Sequence, residues 1–228
     1  MAPERLTISE GVKGLVFDCD GTLLDTMPLH WRAWCKICDE TGLRFNKEDF
    51  YVLAGVPGKK IIDVLARQQG VVLDPLEVYE SKRKYFLSEL ASVSPIQCVL
   101  KYVHEARKRG IPVAVASGSS KKQVEKALKD TGILELFDVI LGNEDYTNHK
   151  PHPDAFLTAA KYLGVAAKDC WGFEDTDIGL ESIRRAGFGN AVDVRLFAEY
   201  PDKRPSDNKD ITQLIETSRK LRRAFTIG

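Results

Sequence analysis

Residues 15–26 read LVFDCDGTLLDT and set two carboxylates two positions apart at the end of an apolar run. In an extended chain alternate side chains point the same way, so Asp18 and Asp20 face one spot, and Gly21 frees the backbone to turn beneath them. Two carboxylates there repel, and they coexist at neutral pH through a cation or a shared proton. Three later segments also carry polar groups after apolar runs: Ser117 in SGSS, Lys150 in HKPHP and Glu174-Asp175 in FED. Read singly, the Asp18–Gly21 stretch is a turn, Ser117 a helix cap and Lys150 a surface lysine. Read together, they form a reactive set. Asp18, Asp20, Glu174 and Asp175 make an oxygen-rich site suited to Mg²⁺, which keeps several waters and takes few protein ligands. Ser117, with Gly118 and Ser119 opening a helix, suits phosphate oxygens, because a helix N-terminus attracts anions. Lys150 adds a positive point charge. An aspartate beside a metal and a bound phosphate can attack phosphorus in line, and a second aspartate can act as acid and base.

Each group needs a strand to deliver it. Leu15, Val16 and Phe17 run unbroken into Asp18, as in a strand buried on both faces of a parallel sheet. Further apolar runs at 111–116, 137–141, 170–173 and 191–194 predict four more strands, and the first three of these lead to Ser117, Lys150 and Glu174-Asp175. Strands alternating with helices imply βαβ crossovers and a parallel sheet. Ligands of such sheets sit beyond the carboxyl ends of the strands, where the strand order reverses.

The first crossover is too long for one helix. Leu29, Trp31, Trp34, Cys35 and Cys38 give a helical stripe before Gly42, residues 59–69 give another, and Asp74-Pro75 starts a third. The expectation is an α/β fold: a Rossmann-like parallel-sheet core from residues 1–26 and 94–228, with an inserted helical cap over 27–93. Residues 94–110 receive no element. Residues 211–225 read as a basic amphipathic helix with a solvated face.

The chain has 228 residues, 43% hydrophobic and 29% charged, which suits an ordinary soluble globular protein. Thirty-three basic residues balance thirty-three acidic ones, so no overall field argues for nucleic acid or an anionic membrane. No apolar run approaches the ~20 residues that cross a bilayer, and MAPERLTISEG has no hydrophobic signal core, so a cytoplasmic location is expected. The five cysteines are odd in number and scattered, as reduced thiols are; Cys35 and Cys38 read as packing residues of a helix.

With these residues in place, the sequence resembles the haloacid dehalogenase superfamily of phosphotransferases. Asp18-Cys19-Asp20-Gly21-Thr22 matches its first motif, Ser117 the second, Lys150 the third and Glu174-Asp175 the fourth. The resemblance implies Asp18 as nucleophile, Asp20 as general acid and base, and Ser117 and Lys150 as phosphate-binding groups. It implies Mg²⁺ held by Asp18, the Asp20 main-chain carbonyl and Asp175, with Glu174 bound directly or through water. The helical insert resembles the cap of the β-phosphoglucomutase-like subgroup, which implies substrate contacts from His30, Gly55 and Lys84. Gly58, in AGVPGKK, stands where the mutases keep a phosphate-gripping arginine. HKPHPDAF, FEDTDIGLESIRRAG and AVDVRLF look closer to bacterial fructose-1-phosphate and 6-phosphogluconate phosphatases. The expected activity is therefore hydrolysis of a small sugar phosphate by a monomer. The alternatives are a sugar phosphomutase and a non-catalytic receiver-like module. His104, His149 and His152 read as structural, although the last two flank Lys150.

Overall fold

The computed structural model describes residues 7–201. The basic helix expected over 211–225 lies outside them. The described residues divide into two compact units, one of residues 7–27 with Leu90–Pro201, the other Pro28–Glu89.

The first unit is built on five parallel strands, β1 (Gly14–Phe17), β2 (Val113–Ala116), β3 (Val139–Leu141), β4 (Cys170–Glu174) and β5 (Asn190–Asp193), in the order β3-β2-β1-β4-β5. Parallel neighbours cannot be joined by tight turns, so helices make the crossovers. Among the described residues the α-helices in chain order are α1 (Met27–Thr41), α2 (Lys47–Val52), α3 (Gly58–Gln69), α4 (Pro75–Ser88), α5 (Gln97–Lys108), α6 (Lys121–Asp130), α7 (Asp154–Leu163) and α8 (Asp177–Arg185). Alternation along β1 splits the core in two. Val16 joins Ala114, Ala116, Phe156, Leu180 and Ile183 in an apolar layer with α7 and α8. Phe17 stacks on Phe173 at 4.3 Å, and Tyr102 of α5 packs on Phe173 at 5.3 Å. Every residue of β1 and β2 is buried, so this sheet is covered on both sides, and the unbroken apolar runs in the sequence have that cause.

Strand order reverses around β1. Its neighbours are β2 and β4, so the loops leaving β1, β2 and β4 emerge together.

The second unit holds α2, α3, α4 and nearly all of α1. Asp74 caps α4 by accepting from the Leu76 N–H at 2.8 Å, with Pro75 in the first turn as the sequence predicts. Asn46 caps α2, a six-residue helix that the apolar pattern does not reveal. Trp31, Trp34, Phe45 and Phe50 form an aromatic cluster, and the Cys35 and Cys38 thiols remain free within α1. Among the described residues, no helix is long and apolar enough to cross a membrane.

Candidate active site

The site begins with a register. Phe17 pairs with Phe173, and the Asp18 N–H donates to the Phe173 carbonyl at 3.0 Å, so Asp18 and Glu174 leave adjacent strands side by side. Lys150 lies between them, donating to Asp18 Oδ1 at 2.6 Å and to Glu174 Oε1 at 2.8 Å. All three are buried. Taking charges out of water is costly, and each ion here is compensated by the next. Burial alone would pull Lys150 toward neutrality, but the two carboxylates outweigh it and hold the ammonium protonated well above the usual lysine range. Burial pushes the Asp18 carboxyl up; Lys150 opposes this, while the charges of Glu174 and Asp20 add to it.

The other oxygen of Glu174 accepts from the Thr176 N–H at 2.6 Å and from its hydroxyl at 2.8 Å. Thr176 in turn caps α8, its hydroxyl accepting from the Gly179 N–H at 3.1 Å. A methyl carbon on Gly179 would stand 1.8 Å from Glu174 Oε1, so the carboxylate occupies the space that a side chain would fill. Asp175, fully buried, accepts from the Thr22 hydroxyl at 3.2 Å, which ties the β4 loop to the β1 loop.

Asp20 turns elsewhere. The Thr26 hydroxyl donates to its Oδ1 at 2.9 Å and the Ser119 hydroxyl to its Oδ2 at 2.7 Å. The second contact joins the β1 loop to the β2 loop. There Ser117 is buried, its hydroxyl accepts from the Ser119 N–H at 3.0 Å, and its carbonyl accepts from the Tyr146 hydroxyl at 2.9 Å. Gly118 is exposed on the same loop. The loops after β1, β2, β3 and β4 are thus laced together by side-chain hydrogen bonds.

At the start of α6 the first N–H groups have side-chain partners. The Lys121 N–H donates to both Glu144 oxygens at 3.0 and 3.1 Å, and the Ser120 N–H faces Gln123 in a capping box. Glu144 sits where an incoming anion would be drawn.

Two buried carboxylates, Asp18 and Glu174, share the one Lys150 ammonium, and Asp20 and Asp175 stand on the same loops. Among the described residues, no three His, Cys, Asp or Glu side chains form a ready metal cage. Mg²⁺ asks for less, one or two carboxylates with water and substrate oxygens, and buried Asp18 and Asp175 beside an excess of negative charge fit it.

In the helical unit, His30 stacks on Phe86 at 4.2 Å. Lys84 is exposed and Lys82 buried; the Lys82 ammonium stands 5.1 Å over the Trp34 ring and 3.5 Å from His30 Nδ1. Val78, Lys82 and Phe86 recur every four residues on the buried face of α4, a period that could have pointed to Lys82 in the sequence. Gly55 is exposed, as are His104, His149 and His152. Sequence reasoning also missed Thr22, Thr26, Thr176 and Tyr146. The hydroxyls beside the aspartates were a usable signal; Tyr146 gave none.

A family model described as haloacid dehalogenase-like hydrolase matches residues 15–192. The fructose-1-phosphate phosphatase YqaB of Escherichia coli K12 is 36% identical over 190 residues, covering 82% of this chain and 98% of that protein. A phosphorylated carbohydrates phosphatase of Thermotoga maritima is 28% identical over 182 residues, covering 77% of this chain and 82% of its own length. The crystal structure of a β-phosphoglucomutase from Clostridium difficile superposes with a TM-score of 0.71 at 22% identity, over 92% of this chain and 98% of that one, a likeness of fold. On the extent of the family match and the identity to YqaB, the chain belongs to the haloacid dehalogenase-like hydrolases.

Proposed function

We propose that this protein is a Mg²⁺-dependent phosphatase of small sugar phosphates that works through a phosphorylated Asp18. The observation that carries the reading is Lys150 buried between Asp18 and Glu174 at the switch point of the sheet, with a second aspartate held by hydroxyls nearby. The names of the two phosphatase relatives support the substrate class.

In this reading an Asp18 oxygen attacks phosphorus, the bond from phosphorus to the sugar oxygen breaks, and that oxygen takes a proton from Asp20. Asp20, now ionised, takes a proton from the water that attacks the acyl phosphate. The Asp18–phosphorus link breaks, and inorganic phosphate leaves. Ser117, Gly118, Ser119 and Lys150 hold the phosphoryl oxygens. Asp18, the Asp20 carbonyl and Asp175, with Glu174 directly or through water, would hold Mg²⁺, which would supply positive charge to those oxygens. The helical unit selects the sugar through His30, Gly55 and a lysine; burial favours Lys82 over Lys84 for that role. The enzyme acts as a cytoplasmic monomer, with neither nucleic acid nor membrane as partner.

One observation favours hydrolysis over a mutase, which must hold a bisphosphate in two orientations. Gly58 stands where mutases keep an arginine, and a Cβ there would lie 3.1 Å from the Tyr79 ring, a contact that Tyr79 must relieve by a few tenths of an ångström. Phosphorus NMR with Mg²⁺ and fructose 1-phosphate, 6-phosphogluconate, and β-glucose 1-phosphate with a trace of bisphosphate tests the reading. Free phosphate should grow without a sugar-phosphate isomer. Glucose 6-phosphate forming with little free phosphate would mark a mutase, and unchanged spectra would count against both.

A further inference from the structure

The family match ends at residue 192, yet the chain beyond it reaches back into the β1 loop. The Tyr200 hydroxyl donates to the Gly21 carbonyl at 2.5 Å, and the side chain is buried. Gly21 has φ +80°, its N–H donates to the Leu24 carbonyl at 2.8 Å, and a Cβ there would stand 2.5 Å from Asp175 Oδ2. Its peptide group therefore lies between two of the reactive carboxylates. Asp20 precedes it, and Thr22, which follows, donates to Asp175.

A glycine in this region has a shallow conformational well, so its carbonyl needs something outside the turn to fix it. Tyr200 arrives already anchored. Arg195 donates to Asp193 Oδ1 at 2.6 Å and to Asp177 Oδ1 at 2.8 Å, which pins the segment to β5 and α8. Phe197 stacks on Tyr102 at 5.3 Å, and Tyr102 packs on Phe173, next to Glu174. The Tyr200 N–H closes a turn onto the Phe197 carbonyl at 3.0 Å.

We propose that Tyr200 is a positioning residue of the reaction: its hydroxyl fixes the Gly21–Thr22 peptide, and through it the Asp20 carbonyl and the Thr22 contact to Asp175. The kinetic part rests on the phosphatase reading; the structural part does not. A tyrosine buried only for its ring would lose nothing in turnover on becoming phenylalanine.

Tyr200→Phe in the full chain removes the donor and keeps the ring, and Tyr162→Phe, at a tyrosine 66% exposed, serves as the control. Hydrogen exchange read by mass spectrometry should speed up in the peptide covering 15–26 and stay unchanged over α6, with the control like the parent. With a sugar phosphate, kcat should fall about tenfold while KM stays within about twofold. Unaltered exchange over 15–26 overturns the tether whether or not the protein turns anything over. Faster exchange with unchanged kcat overturns the positioning role. A parent protein that hydrolyses none of the sugar phosphates overturns the phosphatase reading, while the exchange result still decides the tether.

Discussion

Asp18 and Glu174 share one ammonium, that of Lys150, because the pairing of Phe17 with Phe173 brings the two carboxylates off neighbouring strands at the same level. Removing one member of a buried ion set leaves the others uncompensated. Lys150→Met should lower stability by about 3–5 kcal/mol in urea unfolding at pH 7, and adding Glu174→Gln should recover part of that loss. An unshifted midpoint in the single variant would mean that the cluster carries little net energy.

Asp18→Asn should abolish phosphate release, by about four orders of magnitude or more, while circular dichroism at assay temperature shows the fold retained. In single-turnover measurements, Asp20→Ala should slow release of the sugar by ~10²-fold or more, and release of nitrophenolate from p-nitrophenyl phosphate much less, because nitrophenolate leaves without a proton. Equal losses on both substrates would contradict the acid role of Asp20.

Gly179→Ala places a carbon where Glu174 Oε1 lies. The carboxylate must swing off Thr176 and Lys150, so the variant should lose activity and about 1–3 kcal/mol of stability. Circular dichroism melts and phosphate-release assays would read the two losses together.

Asp138 offers a pH test away from the reactive cluster. Partial burial would raise its pKa, but the Val113 N–H at 2.8 Å and the Arg107 guanidinium outweigh burial and hold the carboxyl below the usual range. A depressed folded pKa stabilises above the unfolded value, near 3.9, and the contribution disappears as pH falls through the folded value. Asp138→Asn should therefore cost about 1 kcal/mol at pH 7, after allowance for the solvent around the pair, and nothing at pH 2. A difference that persists at pH 2 would assign the effect to packing.

Lys82 and Lys84 separate in the helical unit. Lys82→Met should raise KM for the sugar phosphate and leave Lys84→Met close to the parent, measured by steady-state kinetics at saturating Mg²⁺. The reverse result would restore Lys84 as the substrate contact.

The strands were legible because Val16, Ala114 and Phe173 lie in a sheet covered on both faces, where burial leaves uninterrupted apolar runs. The residues of the candidate site could be picked out because Asp18, Ser117, Lys150 and Glu174 follow those runs. α5 was not: Cys98, Val99 and Leu100 are consecutive and all buried, which blurs a helical period. α2 is too short to show one. Lys82 was passed over because a lysine in a helix reads as solvated, and its burial depends on Trp34 and Phe86. Tyr146 and Tyr200 were invisible for a different reason, since hydroxyls that reach across 29 and 179 residues leave no local pattern.

On the first unit's side, the two chain segments flanking the helical insert are stitched together: the Asp25 N–H donates to the Ser94 carbonyl at 2.9 Å, the Ile96 N–H to the Leu23 carbonyl at 2.8 Å, and Leu24 bridges Pro95. The insert is therefore a loop whose mouth is already shut. Closure entropy grows only with the logarithm of loop length, so a much larger or smaller cassette could be spliced at this stem for a small change in folding free energy. In the proposed reading, in which the insert selects the sugar, such a stem lets the insert vary while Asp18 and Asp20 keep their places beside the sheet.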